Sequence, residues 1–133
     1  QRAQVNQEAG REFLARNAAE PGVVVLPSGL QYRVLETGEG AQPTDGGKVR
    51  VHYHGTLLDG TVFDSSTDRG EPVEFSLASV IPGFRESISQ MREGDRWQVV
   101  IPSDLAYGVD GAGTKIGPNE TLIFEIQLLD VIE

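Results

Sequence analysis

The chain has 133 residues, no cysteine and a formal charge of −9. One domain with a short appendage fits that length, and a single core can form without staples. Disulfides, thiolate nucleophiles and Cys-ligated metals are excluded, and the acidity argues against nucleic acid or an anionic membrane as a partner. No apolar run reaches the ~18 residues of a membrane span. The first residue is Gln1 rather than Met, with no apolar signal segment before it, as expected of a processed or truncated chain.

Residues 1–19 are expected to be helical, with Val5, Ala9 and Phe13 at i, i+4 and Leu14 and Ala18 widening the stripe. Glu20-Pro21-Gly22 ends it. So short a helix needs a partner surface, supplied by the main domain, a second chain or upstream sequence. Val23 to Leu26 and Leu30 to Leu35 then predict short strands around the turn Pro27-Ser28-Gly29. Val49, Val51 and Tyr53 alternate with Arg50, His52 and His54, the period of a half-buried strand. Asp59-Gly60 signals a hairpin, Thr61-Val62-Phe63 resumes the extended chain, and Glu71 to Leu77 forms another strand. Phe84, Ile88 and Met91 at i, i+4, i+7 mark one short helix, closed by Gly94. Trp97, Val99 and Ile101 alternate along a strand, as do Leu122, Phe124, Ile126 and Leu128. Between these two lies a long glycine-rich segment, Asp104 to Asn119, of a length usually functional when unstructured. The architecture implied is α+β, a curled antiparallel sheet over one short helix with an N-terminal helical extension.

Reactive motifs are scarce. The glycines at 108, 111 and 113 lack the strand–loop–helix setting of a phosphate cradle. His52 and His54 lie at i, i+2 and could share a metal ion, yet no third ligand stands at a definite spacing; the alternative is two exposed imidazoles on a polar sheet face. No Gly-x-Ser-x-Gly elbow accompanies the many serines. Asn119-Glu120-Thr121 fits the N-glycosylation pattern, which often matches by chance.

What remains is a set of large apolar residues in polar, glycine-rich context: Val51-His52-Tyr53-His54-Gly55, Thr61-Val62-Phe63-Asp64-Ser65-Ser66, Asp68-Arg69-Gly70, Val80-Ile81-Pro82-Gly83-Phe84, Ala106-Tyr107-Gly108 and Thr121-Leu122-Ile123-Phe124. In this order they resemble the FKBP-type peptidyl-prolyl cis/trans isomerases, the rapamycin- and tacrolimus-binding proteins, from about Gly29 to Glu133. The stretch Pro21 to Tyr32, with the helix before it, is similar to the bacterial branch related to macrophage infectivity potentiator.

The resemblance implies residues 1–20 as the end of a connecting helix and 21–133 as the isomerase domain. It implies rotation about X–Pro bonds in protein clients within an apolar pocket, without metal or cofactor. Tyr53, Asp64, Tyr107 and Ile81 would carry the catalytic contacts, the last through its backbone N–H. Phe63, Phe75, Val80, Phe84, Phe124, Arg69, Ala112 and Ile116 would bind substrate, with Phe84 at the floor where many relatives carry tryptophan. Trp97, on another strand, is expected to be core. Ala112 and Lys115 in the long loop and Val73 at the rim depart from the family pattern and should open the cleft. Further implications are macrolide inhibitors of the rapamycin and tacrolimus type, a homodimer through helices upstream of this chain, and the bacterial envelope, periplasm ahead of cytoplasm. The competing readings are a proline-segment binding module or chaperone with little turnover, and a carrier of an unrelated small ligand in a generic cleft.

Overall fold

A computed structural model describes residues 2–132; Gln1 and Glu133, the outer bounds of the two expected segments, lie outside the described residues. The elements are α1 (Arg2–Ala18), β1 (Val23–Val25), β2 (Gln31–Glu36), β3 (Lys48–Thr56), β4 (Val62–Ser65), α2 (Ser66–Arg69), β5 (Val73–Ser76), α3 (Pro82–Gln90), β6 (Arg96–Ile101) and β7 (Leu122–Ile132). The sheet order is β1-β2-β6-β7-β3-β4, with β5 also pairing β3. Every pairing is antiparallel. Register shifts at Arg50/Val51 and Gly55/Thr56 interrupt the ladders of β3. Such bulges bend and twist a strand.

The period-two pattern places the core as the sequence predicts. Val49, Val51 and Tyr53 of β3, Trp97, Val99 and Ile101 of β6, and Leu122, Phe124, Ile126 and Leu128 of β7 all point to one buried side. Against them lies α3, whose Phe84, Ile88 and Met91 are buried. Pro82 starts this helix at a position that needs no hydrogen-bonded N–H. A Cβ at Gly83 would overlap the Ile101 side chain, so glycine sets how closely α3 approaches β6. Emptying the Ile88 site by truncation to alanine should cost about 2–5 kcal/mol.

The N-terminal helix forms over the expected span and docks through Phe13 and Leu14 of the expected stripe, but the rest of that stripe faces solvent. Val5 is 64% exposed, and Ala9 and Ala18 also face solvent. The docked face carries Asn6, Gly10, Phe13, Leu14 and Asn17, of which Gly10 is buried. Hydrogen bonds explain this choice. The Asn6 amide donates to Pro118 O at 2.9 Å and the Asn17 amide to Gln31 Oε1 at 2.8 Å, while Gln31 Nε2 donates to Leu14 O at 3.0 Å. Gly10 abuts Thr121, whose Oγ1 a Cβ there would overlap. A polar face held by amides leaves no trace in apolar periodicity.

The long segment after β6 is more ordered than its glycines suggest. Two single 3₁₀ turns, Ser103–Leu105 and Gly108–Asp110, are followed by reciprocal backbone hydrogen bonds between Ala112 and Ile116 at 2.8 and 3.2 Å. Asn119, at φ +56°, turns the chain into β7; its N–H donates to Gly108 O and its side-chain amide to Ala3 O. Thr121 of the glycosylation-like triplet is 3% exposed and the Asn119 amide is engaged, so the triplet is folded into the domain.

Candidate active site

At the open end of the core, the sheet and the start of α3 diverge around a cavity of about 320 Å³. Its walls are aromatic. Tyr53 comes from β3, Phe63 from β4, Phe75 from β5 and Phe124 from β7, each directed inward by strand alternation. Phe84, in the first turn of α3, closes the bottom. Its ring meets Tyr53, Phe75 and Phe124 edge-to-face at centroid distances of 5.9, 5.5 and 5.1 Å. Phe63 and Phe124 cross at 5.4 Å and 89°. Gly55 permits that crossing, because a Cβ there would lie 2.6 Å from Phe63 Cζ and 2.8 Å from Phe124 Cε1.

Polar groups sit at the edge of this box. The Tyr53 hydroxyl donates to Asp64 Oδ2 at 2.6 Å, Arg69 Nη1 donates to Asp64 Oδ1 at 2.6 Å, and Arg69 Nη2 reaches the Tyr53 oxygen at 3.3 Å. Burial pushes the Asp64 carboxyl upward, but hydrogen bonds from Tyr53 and Arg69 and the guanidinium charge outweigh it and hold the group below the usual carboxylate range. Burial, then the hydrogen bond to Asp64, pushes the Tyr53 phenol up. Asp64 is therefore an anion engaged by two donors, and its geometry suits holding a ring and a cation in place.

The short helix α2 presents Arg69 to this triangle. Ser65 caps it by accepting the Asp68 N–H at 3.0 Å, and Gly70 ends it at φ +81°. The sequence reading assigns no element between Phe63 and Glu71, and this turn is too short for periodicity to reveal. Val80, Ile81 and Tyr107 complete the cavity wall, Tyr107 being 39% exposed at the mouth. Nine of the expected site residues thus surround one space. Arg69 stands behind Asp64 outside the lining, and Ala112 and Ile116 also lie outside it, Ile116 being buried in the core. Ser79 lines the cavity and was not anticipated, since nothing separates it from the other serines in sequence. Trp97 is core, stacked on Tyr32 at 4.0 Å and 6°.

His52 and His54 are not free imidazoles. Each Nδ1 meets a serine hydroxyl, Ser66 Oγ at 3.0 Å and Ser65 Oγ at 2.8 Å.

Residues 39–129 match the family profile of the FKBP-type peptidyl-prolyl cis-trans isomerase, and residues 1–34 match the domain amino-terminal to it. This chain belongs to the FKBP-type isomerase family. It is 50% identical to the Outer membrane protein MIP of Legionella longbeachae over 98% of this chain and 56% of that protein. The crystal structure of FkpA from Escherichia coli superposes with a TM-score of 0.93 at 45% identity, covering 97% of this chain and 60% of that one. A peptidyl-prolyl cis-trans isomerase from Pseudomonas syringae superposes at 0.91 and 42% identity, covering 98% and 96%. The chain spans roughly half to two thirds of the curated relatives it matches. No helix among the described residues is long and apolar enough to cross a membrane.

Proposed function

We propose that this chain accelerates cis/trans rotation about X–Pro bonds in polypeptide clients. The observation that carries the reading is the aromatic box of Tyr53, Phe63, Phe75, Phe84 and Phe124 with a hydrogen-bonded Tyr53–Asp64–Arg69 triangle at its edge.

Amide resonance sets a barrier of ~18–20 kcal/mol. In the twisted transition state resonance is lost and the carbonyl carries less negative charge, so water favours the planar ground state. A proline ring held among Tyr53, Phe63, Phe84 and Phe124 brings its amide into an apolar space that removes this preference, which lowers the barrier differentially. The Ile81 N–H and the Tyr107 hydroxyl donate to client carbonyls and fix the bent conformer. Asp64 orients Tyr53 and Arg69 rather than taking a proton. Bond rotation breaks no covalent bond and calls for no cofactor.

Residues 21–133 act as the catalytic domain and residues 1–20 as the end of a connecting helix. The envelope, periplasm first, is the proposed compartment, supported by the name of the Legionella relative. Helices upstream of α1 would join two copies; the profile match over residues 1–34 and the exposed Val5 and Ala9 support this. Sedimentation of a longer chain checks it.

The test is a protease-coupled isomerisation assay on an apolar-X–Pro peptide, with and without rapamycin. Acceleration abolished by the macrolide is the expected result. Macrolide binding without acceleration would leave a proline-recognition module and overturn the enzymatic reading.

A further inference from the structure

Behind the aromatic box, on the opposite face of β3, His52 and His54 border a polar cleft with Thr67, Arg96, Glu125 and Gln127. None of these groups faces the box, yet the two histidines grip the β4–α2 corner that supplies its polar edge. The register places His54 opposite Ser65. The His54 Nδ1 lies 2.8 Å from the Oγ of Ser65, the same hydroxyl that caps α2 by accepting the Asp68 N–H. His52 Nδ1 lies 3.0 Å from Ser66 Oγ, which accepts the Tyr53 backbone N–H at 2.8 Å. Ser65 and Ser66 are buried, at 5% and 0% exposure, so their hydroxyls have protein partners in place of water. From these serines the chain runs directly to Asp64 on one side and Arg69 on the other.

We infer that His52 and His54 are positioning residues for the isomerisation. They act through Ser66 and Ser65 to set the spacing of Tyr53, Asp64 and Arg69 across the sheet. This rests on the isomerase reading above. Helix α2 is one turn long and too short to hold itself, so its orientation depends on its cap and on what holds the cap. Turning Ser65 swings the helix that carries Arg69. Loss of the His54 contact frees the cap hydroxyl to rotate away from the Asp68 N–H, and the Arg69–Asp64 pair then loses its fixed length.

The experiment measures kcat/KM per active site for wild type, His54→Ala, His54→Asn and His54→Gln, with sites counted by rapamycin titration so that misfolded protein does not enter. Asparagine can present either a donor or an acceptor where Nδ1 stands; glutamine carries its amide one carbon too far. One lost part-buried hydrogen bond of this kind corresponds to a fall of about fivefold in rate. Such a fall is expected for alanine and glutamine, with return to within about twofold for asparagine. In an Arg69→Ala background the same His54→Ala change should have less than about twofold effect, because the group it positions is gone. Unchanged catalysis in His54→Ala, asparagine as poor as alanine, or an undiminished loss in the Arg69→Ala background would each overturn the inference. If alanine leaves no titratable sites, His54→Gln against His54→Asn gives the same comparison. An inactive wild type overturns the isomerase reading and this inference with it; an active wild type with an unaffected His54→Ala overturns this inference alone.

Discussion

The Tyr53 hydroxyl and the Asp64 carboxylate meet at 2.6 Å, with the Arg69 guanidinium bonded to both. Each partner limits the other. The carboxylate keeps the phenol protonated, and the phenol and guanidinium keep the carboxyl ionised.

This arrangement predicts that the Tyr53–Asp64 pair adds no step to the pH–rate profile across neutrality. Asp64 is held below its ordinary value, so what it contributes to the fold is present above the unfolded pKa of 3.8 and is lost only as pH falls through a still lower folded value. Tyr53 is raised above 10.0, so its contribution is complete below that value and is lost as pH rises through the higher folded one. Between roughly pH 5 and pH 9 neither group titrates, and the contribution of this pair to kcat/KM should hold constant. A sigmoid step within that window that persists when His52 and His54 are both replaced would assign Asp64 a role as base.

Removing the carboxylate should affect turnover more than binding. Asp64→Ala leaves the Tyr53 hydroxyl and the guanidinium without their shared acceptor, and a fall in kcat/KM of about tenfold is expected. Rapamycin affinity, measured calorimetrically, should change less than the rate does. Equal losses in both would mean that Asp64 serves to bind.

Ligand should barely alter the native tryptophan emission. Trp97 is stacked on Tyr32 and lies outside the cavity lining. Phe84→Trp puts an indole at the cavity floor, and its emission should respond to rapamycin in a fluorescence titration. A large response in the unsubstituted protein would place Trp97 in contact with the site.

Gly55→Ala should damage stability and site together. The added methyl has no room between Phe63 and Phe124, and overpacking of this kind costs about 1–3 kcal/mol. Urea melts should register that cost, and the isomerisation rate should fall because the two rings must separate. A stable variant with full activity would show that the crossing is not needed.

Gly10→Leu should undock α1 without unfolding the sheet. Its side chain would meet Thr121, so the helix loses the bonds from Asn6 and Asn17 and becomes sensitive to brief proteolysis. The released product should retain the mass of the β-sheet domain.

Elements with apolar alternation were legible from sequence, because burial and period coincide there: β3 and the first eight residues of β7 carry one buried residue in two, and β6 buries Trp97, Val99 and Ile101 with Val100 besides. The aromatic walls were legible only as a set, since any one of them reads equally as core. Three features stayed hidden for a common reason. The amide contacts of α1, the α2 corner and the serine contacts of the histidines are built from Asn, Ser, Gln and His, whose hydrogen bonds link residues 11 to 112 positions apart. Hydrogen-bond complementarity has no period. The ordered segment around Ala112 and Ile116 was hidden in the same way, closed by backbone bonds that any side chain allows.

The steep ring crossings around Phe84 have a consequence beyond dryness. Edge-to-face packing sets the edge of one ring against the electron-rich face of another, and these same rings line the cavity. The pyrrolidine hydrogens beside an amide nitrogen carry partial positive charge, and such C–H groups are weakly attracted to those faces. A cyclopentane of equal size would fill the same volume with less polarised hydrogens. On the proposed reading, the box would favour a proline ring over an apolar ring of equal bulk by charge distribution.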